Sequence, residues 1–483
     1  MIYLQFPFYV FTAGVVVIYY LMPKKIRWMI LFLGSLGFYL HMQQDPKVLM
    51  IFGFSIVCSY FFGLLLEVTA EKYRFLRKIM LTMSILGAAL PLIGVKLSGI
   101  LISSGLSGGS VRWVVPLGLA FYTMEEIAYL ADIYRKKTAA ERNPLKFTLF
   151  ISFFPLILQG PIHRYSDLAP QLFEGHALKG KNLQKGFQLI LWGFFLKMVI
   201  ADNAAVVVTT IYGDPVRYTG FYLWEAAILY SIQLYADFQS CVMLSRGVCW
   251  LFGIQIINNF SRPYFSSSIQ EFWRNWHISL STWLRDYVYI PLGGSRKGKL
   301  RKYCNLILTF LVSGLWHGSG LNFLFWSLLH AFYQIVGDLT FPIRDKIYNQ
   351  LRMPRESLRR KAIQSLGVFF LVTVGWVIFR TPQLSEGLEL LKSMFSAGNF
   401  HILIDGSIFE VGLHQKEFRV LNFGIFLLIA IGVAQRWGSI SDRISQQNII
   451  VRYAIYYILI MAIWIFGAYG VGFSAQDFIY GGF

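Results

Sequence analysis

The run LVSGLWHGSG, residues 311–320, sets His317 among apolar and small residues, and a second histidine, His277, stands in EFWRNWHISLSTWLRDYVYIPLGG, residues 271–294. Imidazole exchanges a proton near pH 7. Each ring can therefore serve as a general base toward a hydroxyl or as one step of a proton or solute pathway. The structural alternative for His317 is ordinary helix packing through Gly314-x-x-x-Gly318, with the ring hydrogen-bonded to a neighbour. His330, in SLLHAFY, has neither a turn nor small residues around it and reads as a packed structural histidine.

What must position these rings is a membrane scaffold. The 483 residues are 56% hydrophobic and 17% aromatic, with only 14% charged and a mean hydropathy of +0.53. A soluble domain carries about a quarter of its residues charged. Apolar runs recur from end to end, and no polar stretch is long enough for a separate soluble domain. The expectation is an all-α, polytopic integral membrane protein with roughly ten to twelve membrane-embedded helices, including re-entrant or short spans. A single domain should cover 1–483, with a signature core at about 112–336.

The first apolar run, Leu4 to Met22, has Pro23-Lys24-Lys25-Ile26-Arg27 after it and no basic residue before it, the reverse of a secretory signal. It should remain as a span. The formal charge of +19 does not point to nucleic acid, because the basic residues sit in short links between apolar runs. The links 23–27, 71–78 and 135–146 alternate with poorly charged ones near 43–47 and 96–111. That alternation places the N-terminus outside, 285–302, 344–361 and 436–443 in the cytoplasm, and 381–420 and the C-terminus outside. Cys58, Cys241, Cys249 and Cys304 lie apart, without the spacing of metal ligands or of a disulfide framework. They read as packing residues, and no metal is expected.

Residues 303–336 begin and end beside cytoplasmic links, so they must enter the membrane and return. Lys302 to His317 covers about 22 Å at the helical rise, short of a full crossing. Gly318-Ser319-Gly320-Leu321-Asn322 then turns the chain. His317 should lie near the apex of this hairpin, where Ser313 and Gly314 leave room for a ligand or for close helix packing. Ser268 and Glu271 have capping-box spacing, and Pro291-Gly293-Gly294 closes the segment they open. Between them an amphipathic helix at the cytoplasmic interface is expected, its tryptophans at the headgroup boundary and His277 facing the protein.

The two histidine segments together, EFWRNWHISLSTWLRDYVYIPLGG and SGLWHGSGLNFLFWSLLHAF, resemble the signature region of the membrane-bound O-acyltransferase (MBOAT) family. The closer likeness is to its bacterial branch of polysaccharide O-acetyltransferases, which contains the alginate O-acetyltransferase membrane subunit, and a more distant one is to the teichoic acid D-alanyl transfer protein. VPLGLAFYTMEEIAYLADIYR (115–135), FFPLILQGPIHRYSDLAPQL (153–172), YADF (235–238) and FLVTVGWVIFRTPQLSEGLELLKSMF (370–395) extend the resemblance over most of the chain. The chain departs from the branch after YADF, in QSCVMLS, and in the acidic pair Glu125-Glu126.

The resemblance implies that His317 matches the family's membrane histidine and His277 the second histidine of the acetyltransferase branch. His317 is then the general base, and His277 orients the donor or stabilises the oxyanion. Trp276, Ser281, Arg285, Trp316 and Asn322 are expected along a tunnel for substrate or donor. The donor is acetyl-CoA, or an acyl carrier protein thioester, with no bound cofactor. The acceptor is an exported or cell-wall polysaccharide, reached directly or through an extracytoplasmic acetyltransferase partner protein, and the solvent of the fold is the lipid bilayer of the cell membrane. The basic run Arg296 to Lys302 either attracts donor phosphates or reflects topology alone. Other readings stay open. They are D-alanyl transfer to teichoic acid, a non-catalytic scaffold, and a transporter with Glu125, Glu126, Asp132, Asp237 and His317 along its pathway.

Overall fold

A backbone in hydrocarbon has no water to bond, so long apolar runs close their hydrogen bonds internally as helices. The computed structural model describes residues 2–103, 115–396 and 398–469 and contains no strand among them. Among the described residues, six helical stretches are long and apolar enough to cross a membrane: Pro46–Val68, Glu71–Gly99, Gly180–Gly213, Leu358–Arg380, Gln415–Trp437 and Ile449–Phe466, with Phe6–Leu21 a shorter apolar helix. Their outward faces stay apolar. The last stretch exposes Ile450, Tyr457, Ile458, Trp464 and Ile465, a surface suited to lipid and not to water.

The N-terminal part comprises α1 (Phe6–Leu21), α2 (Arg27–Met42), α3 (Pro46–Val68), α4 (Arg74–Ser103), α5 (Leu119–Tyr134), α6 (Pro144–Ser152) and α7 (Tyr165–Glu174). These enclose an aromatic core that includes Tyr19, Phe52, Tyr122, Phe147 and Phe154. Helix α8 (Gly180–Phe194) continues through a π-helical stretch, Phe195–Ala201, into α9 (Asp202–Gly213) and packs along α10 (Phe221–Leu251). The Ser240 hydroxyl donates to Gly193 O at 2.8 Å. Beside it, Lys197 Nζ bridges Asp237 at 2.6 Å and Asp202 at 2.9 Å, with all three side chains buried.

The segment 266–294 departs from the single helix expected. It forms α11 (Ile269–Asn275), a break at Trp276 and His277, α12 (Ile278–Leu284) and a π-helical turn, Arg285–Tyr289. The cap is where the spacing puts it, since Ser268 Oγ accepts from Glu271 N at 3.1 Å. Glu271, however, returns to Ser267 and not to Ser268. Trp273, Trp276 and Trp283 are buried against neighbouring helices, so the aromatic stripe is core and not a headgroup anchor.

Helices α13 (Gly298–His317) and α14 (Leu321–Leu339) form the hairpin read from the sequence, with the turn at 318–320 and His317 as the last residue of α13. At the base, Lys302 Nζ and Tyr303 OH both donate to Asp338 Oδ2, at 2.7 and 2.8 Å. Near the apex, a Cβ on Gly314 would sit 2.7 Å from Ser327 Oγ and 2.8 Å from Phe323 O. Only glycine permits that approach, so Gly314 serves the packing of α14.

The basic stretch 344–361, placed in the cytoplasm by its charge, is structured. It contains α15 (Phe341–Gln350) and a carboxylate, Asp345, held by Arg355 at 2.7 Å and Arg360 at 2.6 Å. Helix α16 (Leu358–Arg380) packs on α14 and on α17 (Leu384–Ser396). Helices α18 (Gln415–Ala434), α19 (Ile440–Gln446) and α20 (Ile449–Phe466) complete the described chain. The expected placements of the C-terminus and of much of the 96–111 link fall outside the described residues. Among the cysteines, Cys241 and Cys249 are buried packing residues, Cys58 is half-buried and Cys304 is exposed.

Candidate functional site

Helix α11 ends before His277 because His277 itself takes φ +45° and ψ +55°, a left-handed conformation that side chains other than glycine rarely adopt. Asn259 holds the turn from outside: its carbonyl accepts from Ile278 N and its Oδ1 from Ser279 N, each at 3.0 Å. The turn throws the His277 ring inward, edge-on to Phe238, with centroids 4.8 Å apart and planes at 86°. Backbone in so sparse a region is held there by its surroundings, here by Asn259.

Trp316 links this ring to His317. Its ring lies 5.9 Å from His277 and 4.8 Å from His317, and its indole N–H donates to Ala120 O at 3.0 Å, which fixes it against α5. Trp326, at 5.2 Å and 90°, and Phe379, at 5.4 Å and 82°, close the other sides of His317. Both histidines are thus buried in an aromatic enclosure that keeps bulk water from the rings. Trp276, Trp326 and Trp376 also bury indole N–H groups that have no acceptor among the described residues. Such donors suit an oxygen-bearing guest.

A cavity of about 1380 Å³ opens beside the base of the hairpin. Its deep lining includes Leu280, one turn past His277, and Ser313, one turn before His317, together with Trp273 and Phe310. Its rim carries Arg274, Arg285, Lys302, Arg344, Arg355, Arg360 and Lys361 against Asp338 and Glu356. Lys302, Arg355, Arg360, Lys361 and Arg285 are tied to carboxylates. Arg274 and Arg344 have no carboxylate partner among the described residues, although Arg344 Nη2 donates to Gly337 O at 2.7 Å. The Arg355 and Arg360 hydrogen bonds hold the Asp345 carboxyl well below the usual carboxylate range and brace this wall.

Of the expected tunnel residues, Ser281 and Arg285 line the cavity. Trp276 and Trp316 do not line it and belong to the aromatic enclosure, while Asn322 ties the hairpin turn to α16 through Nδ2 and Thr381 O at 2.8 Å. From the basic run 296–302, only Lys302 reaches the lining. The rim arginines Arg274 and Arg344 carried no signal in spacing, because the fold alone brings α11 and α15 to one opening. His330 accepts from Trp273 Nε1 at 3.3 Å, a packed position in keeping with a structural histidine.

Four of the residues weighed for a transport pathway are held by different partners. Glu126 accepts from Ser55 Oγ at 2.6 Å, Glu125 accepts from His163 N at 3.1 Å, and Asp132 accepts from Tyr287 OH at 2.7 Å. Asp237 belongs to the Lys197 bridge.

A family model described as MBOAT, membrane-bound O-acyltransferase family, matches residues 119–372. The chain is 35% identical over 386 residues to the probable alginate O-acetylase AlgI of Pseudomonas fluorescens, covering 80% of this chain and 73% of that protein. It is 33% identical over 311 residues to the peptidoglycan O-acetyltransferase of Helicobacter pylori, covering 59% and 58%. To the teichoic acid D-alanyltransferase of Bacillus subtilis it is 30% identical over 227 residues, covering 44% and 57%.

Proposed function

The chain belongs to the membrane-bound O-acyltransferase family, and from that premise we propose that it moves an acetyl group from a cytoplasmic thioester donor across the membrane for O-acetylation of an exported or cell-wall polysaccharide, with His317 as general base. The observation that carries this reading is the basic cavity whose deep lining comes within a helical turn of both histidines. Acetyl-CoA has the matching shape, a phosphate-bearing head for the rim and an acyl thioester on a narrow arm for the apolar depth.

In the reaction, the acceptor hydroxyl attacks the thioester carbonyl carbon as His317 takes its proton. The tetrahedral intermediate then expels the thiolate, which receives the proton from the His317 imidazolium. His277, donating from a ring nitrogen, would stabilise the oxyanion between these steps. The aromatic enclosure limits hydrolysis of the donor. The acetyl group passes to the polysaccharide directly or through an extracytoplasmic partner acetyltransferase, and the alginate and peptidoglycan acceptors named for its relatives support an acceptor of that class. Both chain termini are assigned to the extracytoplasmic side by the charge of the links.

The test is purified protein in nanodiscs with radiolabelled acetyl-CoA, comparing wild type with His317→Ala and His277→Ala. Thioester consumption should vanish in His317→Ala while the protein stays folded. Equal consumption in that variant, repeated with cell envelopes to supply any partner, would sink the assignment. A wild type that turns over only a D-alanyl carrier-protein thioester would replace the acetyl donor.

A further inference from the structure

Helix α15 (Phe341–Gln350) has no buried residue, although the helices before and after it pack into the bundle. Ile343 is 64% exposed, Ile347 48% and Leu351 60%. Their four-residue spacing puts all three on one face, and Leu351 N still donates to Ile347 O at 3.0 Å, so the stripe runs through the helix end. About 100° around the axis, Arg344 and Tyr348 present the neighbouring face to the basic-rimmed cavity, which Phe341 also lines. On the side away from Ile343, Arg355 and Arg360 hold Asp345 at 2.7 and 2.6 Å and fix which face looks outward. One short helix is thus cavity wall on one face and bare apolar surface on the next.

What covers that surface follows from where the helix lies and what surrounds it. Helix α15 connects the end of α14 to the start of α16, and α16 is one of the stretches able to cross a membrane. It therefore sits at the level where that span leaves the hydrocarbon. Leu339 just before α15, Leu358 just after it and Leu366 on α16 are exposed as well, so the apolar surface extends to both sides. Residues 341–361 carry seven Lys or Arg against two Asp or Glu, and Lys346, Arg352 and Arg359 are exposed. A helix with an apolar face and basic residues beside it lies in the headgroup plane and favours anionic lipid.

We propose that α15 is an interfacial helix that docks Ile343, Ile347 and Leu351 into an anionic lipid leaflet, with Lys346 and Arg352 on the headgroup phosphates, and that this docking holds one wall of the donor cavity. The effect on the donor rests on the acyl-transfer reading, whereas the lipid contact goes beyond it. The experiment uses the full chain, one copy per nanodisc, in phosphatidylcholine alone and in phosphatidylcholine with phosphatidylglycerol. Hydrogen exchange over residues 341–353 and the KM for acetyl-CoA are measured for wild type, Lys346→Gln/Arg352→Gln, Ile343→Ser/Ile347→Ser and Ile343→Leu/Ile347→Leu. None of the substituted positions lines the cavity.

Wild-type exchange should slow about tenfold when phosphatidylglycerol is present, and Lys346→Gln/Arg352→Gln should lose that gain. The serine pair should exchange faster than wild type in both discs and raise the donor KM several-fold within the same discs, and the leucine pair should match wild type in both readouts. Equal wild-type exchange in the two discs overturns the proposal, as does a gain that survives in Lys346→Gln/Arg352→Gln or a serine pair as protected as wild type. Protection that arises only in discs loaded with two copies assigns the face to a second copy and overturns it too. An unchanged KM despite faster exchange removes the link to the cavity wall. Exchange is read without donor, so a wild type that consumes no acetyl-CoA marks failure of the acyl-transfer reading and not of lipid docking.

Discussion

Phe238 meets His277 edge-on, with ring centroids 4.8 Å apart and planes at 86°. Phe238 follows Asp237 directly, so the buried Lys197 bridge and the His277 ring share one short piece of α10. Charge pairing between the π-helical stretch Phe195–Ala201 and α10 thus sets the wall against which the second histidine leans.

Lys197→Met should therefore reach the site as well as the stability. Removing one partner strands buried carboxylates, an effect of about 3–5 kcal/mol. Thermal unfolding in detergent should show a large drop in melting temperature, and turnover at permissive temperature should fall too. Unchanged melting would mean that the bridge is not what holds the two helices.

Asn259→Ala removes the acceptor for Ser279 N, leaving a buried donor unmet at about 1–3 kcal/mol. Because that bond shapes the left-handed turn, kcat should fall more than the donor KM rises. A rise in KM alone would place His277 in donor binding and not in the chemical step.

Gly314→Leu drives a side chain into Ser327 and the Phe323 carbonyl. Overpacking of this kind costs about 1–3 kcal/mol, and a 1 Å shift of His317 would cost about a hundredfold in rate. Gly314→Ala should lie between wild type and Leu. The check is single-turnover kinetics beside a folding assay, and a leucine variant with full activity would refute tight packing at the apex.

Arg274→Gln and Arg344→Gln should raise the KM for acetyl-CoA several-fold with kcat nearly kept, and wild-type KM should climb with salt as screening shortens to about 8 Å at physiological ionic strength. A salt-independent KM would remove phosphate recognition from the rim.

Asp345 supplies a pH dependence. Its folded carboxyl titrates below its unfolded value, so its stabilisation is complete above the ordinary carboxylate value of about 3.9 and is lost as pH falls through the lower folded value. Hydrogen exchange of residues 341–361 should stay protected at neutral and mildly acidic pH and lose protection only in stronger acid. Asp345→Asn should show the loosened state already at pH 7.

The hairpin and its apex were legible because charge alternation, helix length and a glycine turn each constrain the same few residues. Local spacing also gave the Ser268 cap. It could not give the break at His277, since φ +45° is imposed by Asn259, far off the helix's own periodicity. Nor could it separate interfacial tryptophans from core ones, because both obey the same helical stripe. Arg274 and Arg344 were invisible as a pair for want of any link between them except the folded chain.

The enclosure around His317 also has an optical consequence. Trp326 and Trp376 are stacked, 5.7 Å apart with planes at 22°, and Trp326 meets the imidazole edge-on. Indoles this close share their excited states, so a guest that shifts either ring changes the near-ultraviolet circular dichroism and emission of the pair. The site thereby contains its own chromophore, and its occupancy can be read without a label.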